Sequence, residues 1–465
     1  MRKKQIKNRK RKKINKPRPL GTVYNGIDVI GFTLADYQME KALYDQLKAE
    51  SNDEKFSLSS LPQDNPLRQI IENKRITYLG FWNSKRIPVG GGKKSDQQIL
   101  VDFQNLRNEK WGKILIKDIN KRKIILWDFS SLDSGVNQYF PEMLDVPTTN
   151  SSVLDCLRDK DRFLKSYEQK ILKAGFYKVE DSESSFYSVF SQMVRMGSGS
   201  HPVVNFPSLV AQYIVMESYY NTIKLNNGIE NDNFVILDPC SGWSGRLYGV
   251  LCSYHKLRRD YQRRYGRKLH VSYLTTDPNK DVHERFGAIV NDWFSLVEPK
   301  HSLEYFHFHK QTLGCETPEF LNYCKVILNE LNVSGVNVAL TSPPYFDQEQ
   351  YSKHPTQCCV KYRNDYPNWV QTFLSGMIKN VYELLQPKGR FYLNIANTKK
   401  GSKLLPSETE SVRILKEHGM KEVVIYKMLL SGKPPKGCVN VVSVKNMTTK
   451  KITLKKFEPV FVYEK

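Results

Sequence analysis

"NFVILDPCSG", residues 233–242, is an apolar run that ends in an acid, a proline and a glycine. A run of that length closed by Pro239 and Gly242 predicts a buried strand passing into a Gly-bearing turn. The rhythm recurs downstream. "HVSYLTTDPN" (270–279) is a second strand ending in an acid. "SLEYFHFHK" (302–310), "VNVALTSPPY" (336–345) and "GRFYLNIAN" (389–397) follow, separated by amphipathic segments of helix length. Alternating strands and helices predict a parallel sheet covered on both faces. The tail breaks the pattern. "EVVIYKMLL" (422–430), "GCVNVVSVKN" (437–446) and "FEPVFVYEK" (457–465) leave no room for intervening helices, so an antiparallel hairpin is expected at one sheet edge.

Upstream the sequence is less regular. Residues 26–195 are read as a separate α+β domain, with a helix over 34–50 ("LADYQMEKALYDQLKAE") and strands at 75–82 ("RITYLGFW") and 123–129 ("KIILWDF"). The glycines at 90–92 mark a loop.

At 465 residues and 40% hydrophobic content the chain is long enough for two or three globular domains. No apolar run approaches the roughly 18 residues of a membrane span, and the N-terminus has no signal-peptide apolar core. Eight cysteines without a CxxC pair favour neither a zinc site nor a disulfide framework. Cys358 and Cys359 read as free thiols of a reducing compartment. A cytoplasmic, nucleoid-associated protein is expected.

The net charge of +23 is unevenly placed. Residues 1–19 hold eleven Lys and Arg and no acid, so residues 1–25 are expected to form a disordered basic arm. Such an arm serves as a solvated tail, a localisation signal or a phosphate contact. "HKLRRDYQRRYGRKLH" (255–270) adds seven basic residues against one acid. Together the clusters point to a polyanion partner.

Ligands of open parallel sheets bind at the carboxyl ends of the strands. In "DPCSGWSGR" (238–246) a Gly-rich turn lets backbone approach a ligand, and the following helix N-terminus favours a negative group. Asp277, ending the next strand, is placed to accept both hydroxyls of a ribose. The combination indicates an adenosine-containing cofactor, and no GK[ST] phosphate loop supports an NTPase. The turn "TSPPY" (341–345) ends a buried strand, because proline cannot continue a ladder. It leaves the Ser342 side chain and a proline carbonyl to face the cleft, with Tyr345 as a flat stacking surface. Two acceptors and a ring suit an exocyclic amino group on a nucleobase, whose nitrogen lone pair is freed to attack a methyl donor. Catalysis then rests on orientation and electrostatics.

These residues resemble those of the amino-directed DNA methyltransferases that use S-adenosyl-L-methionine, and TSPPY is most similar to the N(4)-cytosine branch. Adenine-directed relatives usually carry Asp or Asn where Ser342 stands. The resemblance covers residues 196–465 and implies a Rossmann-like class I methyltransferase sheet, mostly parallel with an antiparallel edge hairpin. It implies a catalytic motif of Thr341, Ser342, Pro343, Pro344 and Tyr345. It also implies cofactor contacts from Asp238, Cys240, Gly242, Gly245 and Asp277. Asn205, Phe206 and Pro207 would seat the methionine end, and Glu316 stands where the family often contacts adenine. The chain departs from the usual D-P-F-x-G-x-G turn, since Cys240 replaces the Phe and Trp243 displaces the second glycine to Gly245. Double-stranded DNA is the implied partner, with a cognate restriction endonuclease in the same set of expectations. The N-terminal domain, assisted by the basic insertion at 255–270, would recognise the target.

Asp347 and Glu349 are expected to solvate a loop, His201 and His354 to be structural or surface groups, and Trp369 to pack in the core. Four alternatives stay open: N(6)-adenine methylation of DNA, a same-fold enzyme acting on RNA, one acting on a protein amide, and a catalytically silent DNA-binding module.

Overall fold

The computed structural model describes residues 34–51, 56–85, 115–117, 123–125, 139–146, 152, 154–173, 205–298, 300–346, 350–351, 354–400, 402–430, 440–445 and 452–465. The basic arm, the glycine run at 90–92, His201, Asp347 and Glu349 lie outside them.

Strands β3 (Asn233–Asp238), β4 (His270–Thr276), β5 (Phe306–Gln311), β6 (Val336–Thr341) and β7 (Leu385–Asn394) run parallel. β10 (Lys421–Leu429) and β12 (Ile452–Glu464) complete the sheet, in the order β10-β12-β7-β6-β3-β4-β5. β12 is antiparallel to both its neighbours, and β11 (Val441–Lys445) pairs with it. This is the mostly parallel, helix-covered sheet expected from the strand–turn–helix rhythm, and the tail supplies its antiparallel edge. The tail is not a simple hairpin, however. β12 inserts between β7 and β10.

Burial explains the order. β3 is buried along its whole length, with Phe234 and Ile236 in one apolar core and Val235 and Leu237 in the other. A strand flanked on both faces must read as a continuous apolar run, as this one does. The first core is covered by α4 (Ser208–Asn226), α5 (Gly245–Tyr265) and α6 (Lys280–Leu296). The second is covered by α7 (Pro318–Glu330), α8 (Ser375–Leu384) and α9 (Ser407–Glu417). Trp369 is fully buried in the second core, as its amphipathic segment predicted.

The described N-terminal residues comprise α1 (Leu34–Ser51), α2 (Pro66–Lys85), α3 (Lys160–Tyr167) and a hairpin of β1 (Leu115–Lys117) and β2 (Lys123–Ile125). The expected strand at 75–82 is instead the second half of α2. Asn65 caps that helix, its Oδ1 accepting from the N–H groups of Leu67 (3.0 Å) and Arg68 (3.3 Å), and Pro66 fits the first helical position. Leu67 and Ile71, four apart, are buried. A capped helix with an anchored face overrides the β-branched content of one segment. This region docks on the sheet domain through Phe140, whose ring lies 5.5 Å from Trp243 and 6.2 Å from Phe286, and through a Glu142–Arg285 ion pair.

Among the described residues no helix is long and apolar enough to cross a membrane, and the seven cysteines there are free thiols.

Candidate functional site

β3 delivers Asp238 to the carboxyl edge of the sheet, where parallel register sets it beside Thr275 of β4, with Leu237 beside Ala339 of β6. Asp238 is buried, and its carboxylate is used locally. Oδ2 accepts from Arg246 Nε at 2.9 Å and from the Tyr273 hydroxyl at 2.7 Å. Oδ1 accepts the Cys240 N–H at 3.3 Å and faces the Thr341 hydroxyl at 3.4 Å. Arg246 is also buried, donates to the Cys240 carbonyl and lies 5.4 Å from the Phe206 ring centre. Burial works against its charge, but the Asp238 carboxylate outweighs that and holds the guanidinium above its ordinary value. A charge pair out of water needs such a full set of hydrogen bonds.

The turn itself is strapped to β4. The Ser241 N–H donates to the Thr276 carbonyl at 3.0 Å, and the Ser241 and Thr275 hydroxyls bond to each other. Gly242 sits at φ 54°, a left-handed conformation that a side chain disfavours. Its N–H donates to Asp277 Oδ2 at 2.9 Å, while Asp277 Oδ1 accepts from Asn279 N–H at 2.9 Å. Burial pushes the Asp277 carboxyl up to about 6, against the pull of those two N–H groups.

The displaced glycine has a packing reason. A Cβ on Gly245 would stand 2.1 Å from the Phe206 carbonyl oxygen. Asn205 clamps the same place, its Oδ1 accepting from the Gly245 N–H at 2.9 Å and its Nδ2 donating to the Trp243 carbonyl at 2.7 Å. Pro207 then starts α4, its carbonyl accepting from Ala211 N–H at 3.1 Å. Thus Trp243 lengthens the turn without moving Gly245 off the Asn205–Phe206 segment. Cys240 reaches the opposite wall, with Sγ 3.6 Å from Cys315 Sγ. Glu316, next in sequence, is already engaged: its Oε1 accepts from Lys361 Nζ at 2.8 Å and from the Tyr362 hydroxyl at 3.3 Å.

The turn after β6 is built differently. Thr341 is fully buried against Asp238, so this motif threonine ties the two turns together. Ser342 is half-buried, and its hydroxyl has no hydrogen-bond partner among the described residues. The Pro344 carbonyl is taken by the Phe346 N–H at 2.9 Å, which leaves the Pro343 carbonyl as the proline acceptor. Phe346 has φ 57°, strained for a bulky residue. Its buried ring is held edge-on to Tyr366 at 5.5 Å and to Trp369 at 6.0 Å, so packing offsets the strain. Tyr345 is half-buried, its hydroxyl 3.5 Å from Asn394 Oδ1 and 3.4 Å from Glu458 Oε2. Burial raises the Glu458 carboxyl above the usual carboxylate range.

Sequence reading did not single out Arg246, Asn394 or Glu458. A polar residue closing the apolar run "GRFYLN" was a usable signal for Asn394. Glu458 lies far along the chain and meets Tyr345 only through the β7–β12 register, which pairs Asn394 with Val460. His354 is exposed and bonded to Thr356, and no cluster of metal-ligating groups occurs among the described residues. Residues 255–265 are not an insertion. They are the second half of α5, which starts at Gly245 beside the turn and runs 21 residues, about 30 Å, toward the amino ends of the strands.

No protein-family model and no curated protein matches the sequence. Solved structures similar to this chain include a loganic acid methyltransferase with SAH (11% identity, TM-score 0.30, 47% of this chain and 72% of that one). A class I S-adenosylmethionine-dependent methyltransferase from Listeria monocytogenes is 12% identical with TM-score 0.31, over 80% of this chain and 87% of that one. The type IIG restriction endonuclease BpuSI is 14% identical with TM-score 0.32, over 85% of this chain and 38% of that one.

Proposed function

We propose that this chain is a DNA methyltransferase that moves a methyl group from S-adenosyl-L-methionine to the exocyclic amino group of a flipped base, cytosine N(4). The observation that carries the reading is the juxtaposition, on one sheet edge, of a buried carboxylate at Asp277 and a free hydroxyl at Ser342. Thr341 and Asp238 join the two turns between them.

The residues present fit the cofactor. Each Asp277 oxygen takes one backbone N–H and keeps acceptor capacity for a ribose hydroxyl. Gly242 offers backbone with no side chain in the way, and Trp243 Nε1 and Ser244 Oγ are buried without partners among the described residues. The bound cofactor supplies an electrophilic methyl group. Asn205, Phe206 and Pro207 seat its methionine end, Cys240 and Gly245 shape the turn around it, and Glu316 lines the adenine side. Asp238 keeps the turn in place.

A base inside a duplex cannot reach Ser342, so the target is flipped out of the stack. Tyr345 then stacks on it, a contact worth roughly 1–3 kcal/mol. The Ser342 hydroxyl and the Pro343 carbonyl would accept the two amino hydrogens and orient the nitrogen lone pair; the transfer exchanges the sulfonium S–CH3 bond for an N–CH3 bond, with S-adenosylhomocysteine leaving and one amino proton released to solvent. Residues 26–195 recognise the target sequence, and the arm at 1–25 contacts phosphates. The test is transfer of labelled methyl to duplex DNA, followed by digestion and identification of the nucleoside by mass. Label in N(4)-methylcytosine is expected. Label in adenine overturns the base assignment, and label only in RNA or protein overturns the DNA reading.

A further inference from the structure

Two thiols meet beside the turn that follows β3. Cys240, in that turn, is half-buried, and its Sγ lies 3.6 Å from the Sγ of Cys315, in the turn after β5. β4 lies between those two strands in the sheet, so the contact joins the turns on either side of the one that bears Asp277. Cys315 is buried and its backbone is fixed. Asn380 Nδ2, on α8, donates to its carbonyl at 2.9 Å and to that of Thr317 at 3.0 Å. A hydrogen bond to Cys240, together with burial, pushes the Cys315 thiol well above its ordinary value, so Cys315 keeps its proton and donates toward the Cys240 sulfur.

A half-exposed sulfur that receives a hydrogen bond is the attacking member of such a pair, and its buried neighbour is the resolving one. A third sulfur, Cys358 Sγ, is held elsewhere. It accepts from Trp369 Nε1 at 2.9 Å. Its segment is tied down by Lys361, which pairs with Glu316, and by Asn364, which accepts from Lys400 in the hairpin of β8 (Thr398–Lys400) and β9 (Lys403–Leu405).

We propose that Cys240 and Cys315 are a peroxide-sensitive modification site whose disulfide weakens S-adenosylmethionine binding. The inference rests on the reading that the turn after β3 holds the cofactor. The Cys240 thiolate attacks one oxygen of hydrogen peroxide and the O–O bond breaks. The other oxygen leaves as hydroxide and takes up the proton that Cys240 had given up, forming water. The Cys315 sulfur then attacks the Cys240 sulfenic acid, the S–O bond breaks and a second water leaves. The two thiols lose two electrons in all, and the peroxide gains them. Bonded sulfurs stand about 2.05 Å apart, so the present 3.6 Å gap must close. With Cys315 anchored on α8, the movement falls on the Cys240 turn and shifts the Gly242 N–H relative to Asp277.

Full-length protein treated with hydrogen peroxide should lose about 2 Da, the two thiol hydrogens, and digestion should yield linked peptides holding Cys240 and Cys315. Calorimetric S-adenosylmethionine affinity should fall by roughly tenfold or more, the usual size of coupling between two sites, and dithiothreitol should restore it. Cys240→Ser, whatever its own affinity, should show no fall on oxidation, and Cys358→Ser should show it in full. Cys315→Ala should stop at the Cys240 sulfenic acid, which dimedone traps. Absence of the Cys240–Cys315 link, or a link that leaves cofactor affinity unchanged, overturns the switch while the cofactor reading stands. A fall that persists in Cys240→Ser, or disappears in Cys358→Ser, overturns it as well. If the reduced wild type does not bind S-adenosylmethionine, the cofactor reading fails and the switch fails with it.

Discussion

The turns after β3 and β6 lie side by side at the carboxyl edge of the sheet, yet they treat their polar groups in opposite ways. In the first, both oxygens of Asp238 and of Asp277 have partners, Arg246 is locked, and Asn205 pins the backbone on either side of Gly245. In the second, the prolines and the buried Phe346 ring make the backbone rigid while the Ser342 hydroxyl is left open. A polar group with partners holds the fold; one without them, on a rigid support, is available to a ligand. Removing a partnered side chain from the first turn should therefore act on stability, and removing the Ser342 hydroxyl from the second should act on turnover.

The largest effect is expected at Arg246. Removing one partner of a buried ion pair strands the other, at a cost of roughly 3–5 kcal/mol. Arg246→Ala should lower the denaturation midpoint accordingly and abolish cofactor binding as the turn collapses. A midpoint within the error of the wild type would show that Asp238 finds other partners. Ser342→Ala is the mirror case. With no bond to lose, stability should stay within about 0.5 kcal/mol. Turnover should fall by roughly 10²–10³, the usual loss when an oriented polar group at the reacting centre is removed. Methyl transfer at the wild-type rate would remove Ser342 from the mechanism.

Much of this contrast was legible in the sequence, for a physical reason. Asp238, Gly242, Asp277 and Ser342 sit where a strand must end, and proline and glycine mark such points in any sequence. The five parallel strands were read for the same reason. The helix over 66–85 was missed because its signal, Asn65-Pro66, precedes a segment rich in β-formers, and a cap outweighs local propensity once one face is buried. Arg246 was passed over because an arginine one residue into a helix reads as exposed; only the Asp238 carboxylate beneath it makes it a core residue. Glu458 and Asn394 required the β7–β12 register, which no local pattern encodes. The second proline acceptor required the Phe346 N–H to be traced to the Pro344 carbonyl.

A smaller effect concerns pH. The Asp277 carboxyl lies above its ordinary 3.8, at about 6 in the folded chain, so the folded state holds that proton more tightly than the unfolded one. The stability it contributes is fully present below 3.8 and is lost as pH rises to about 6, a change of about 3 kcal/mol. Ribose hydroxyls donate to the ionised form, so cofactor affinity should run the other way. It should be level above pH about 7 and fall by up to tenfold per unit below about 6. Calorimetric affinities across pH 5–8 check this, with Asp277→Ala as the control in which the slope disappears. The same slope in that variant would assign the titration to another group.

The smallest effect on the fold should come from Gly242, and it sharpens the comparison because the residue belongs to the turn whose carboxylates are all partnered. A Cβ at Gly245 would meet the Phe206 carbonyl at 2.1 Å, so Gly245→Ala must push α5 off the Asn205–Phe206 segment and destabilise the chain by roughly 1–3 kcal/mol or more. At Gly242 the nearest atom to a new Cβ is the Cys240 carbonyl oxygen at 4.0 Å, so space exists and only the left-handed backbone opposes the change. That conformation costs an alanine about 1 kcal/mol. The Gly242 N–H bond to Asp277 survives, because it uses backbone alone. Gly242→Ala should thus fold with a midpoint only slightly lowered, yet bind S-adenosylmethionine far more weakly, since the new methyl group occupies the space in which backbone must meet the ligand. Cofactor affinity equal to the wild type would mean that the Gly242 face of the turn is not the cofactor face. A loss of stability as large as that of Gly245→Ala would mean that the turn has no open side at all.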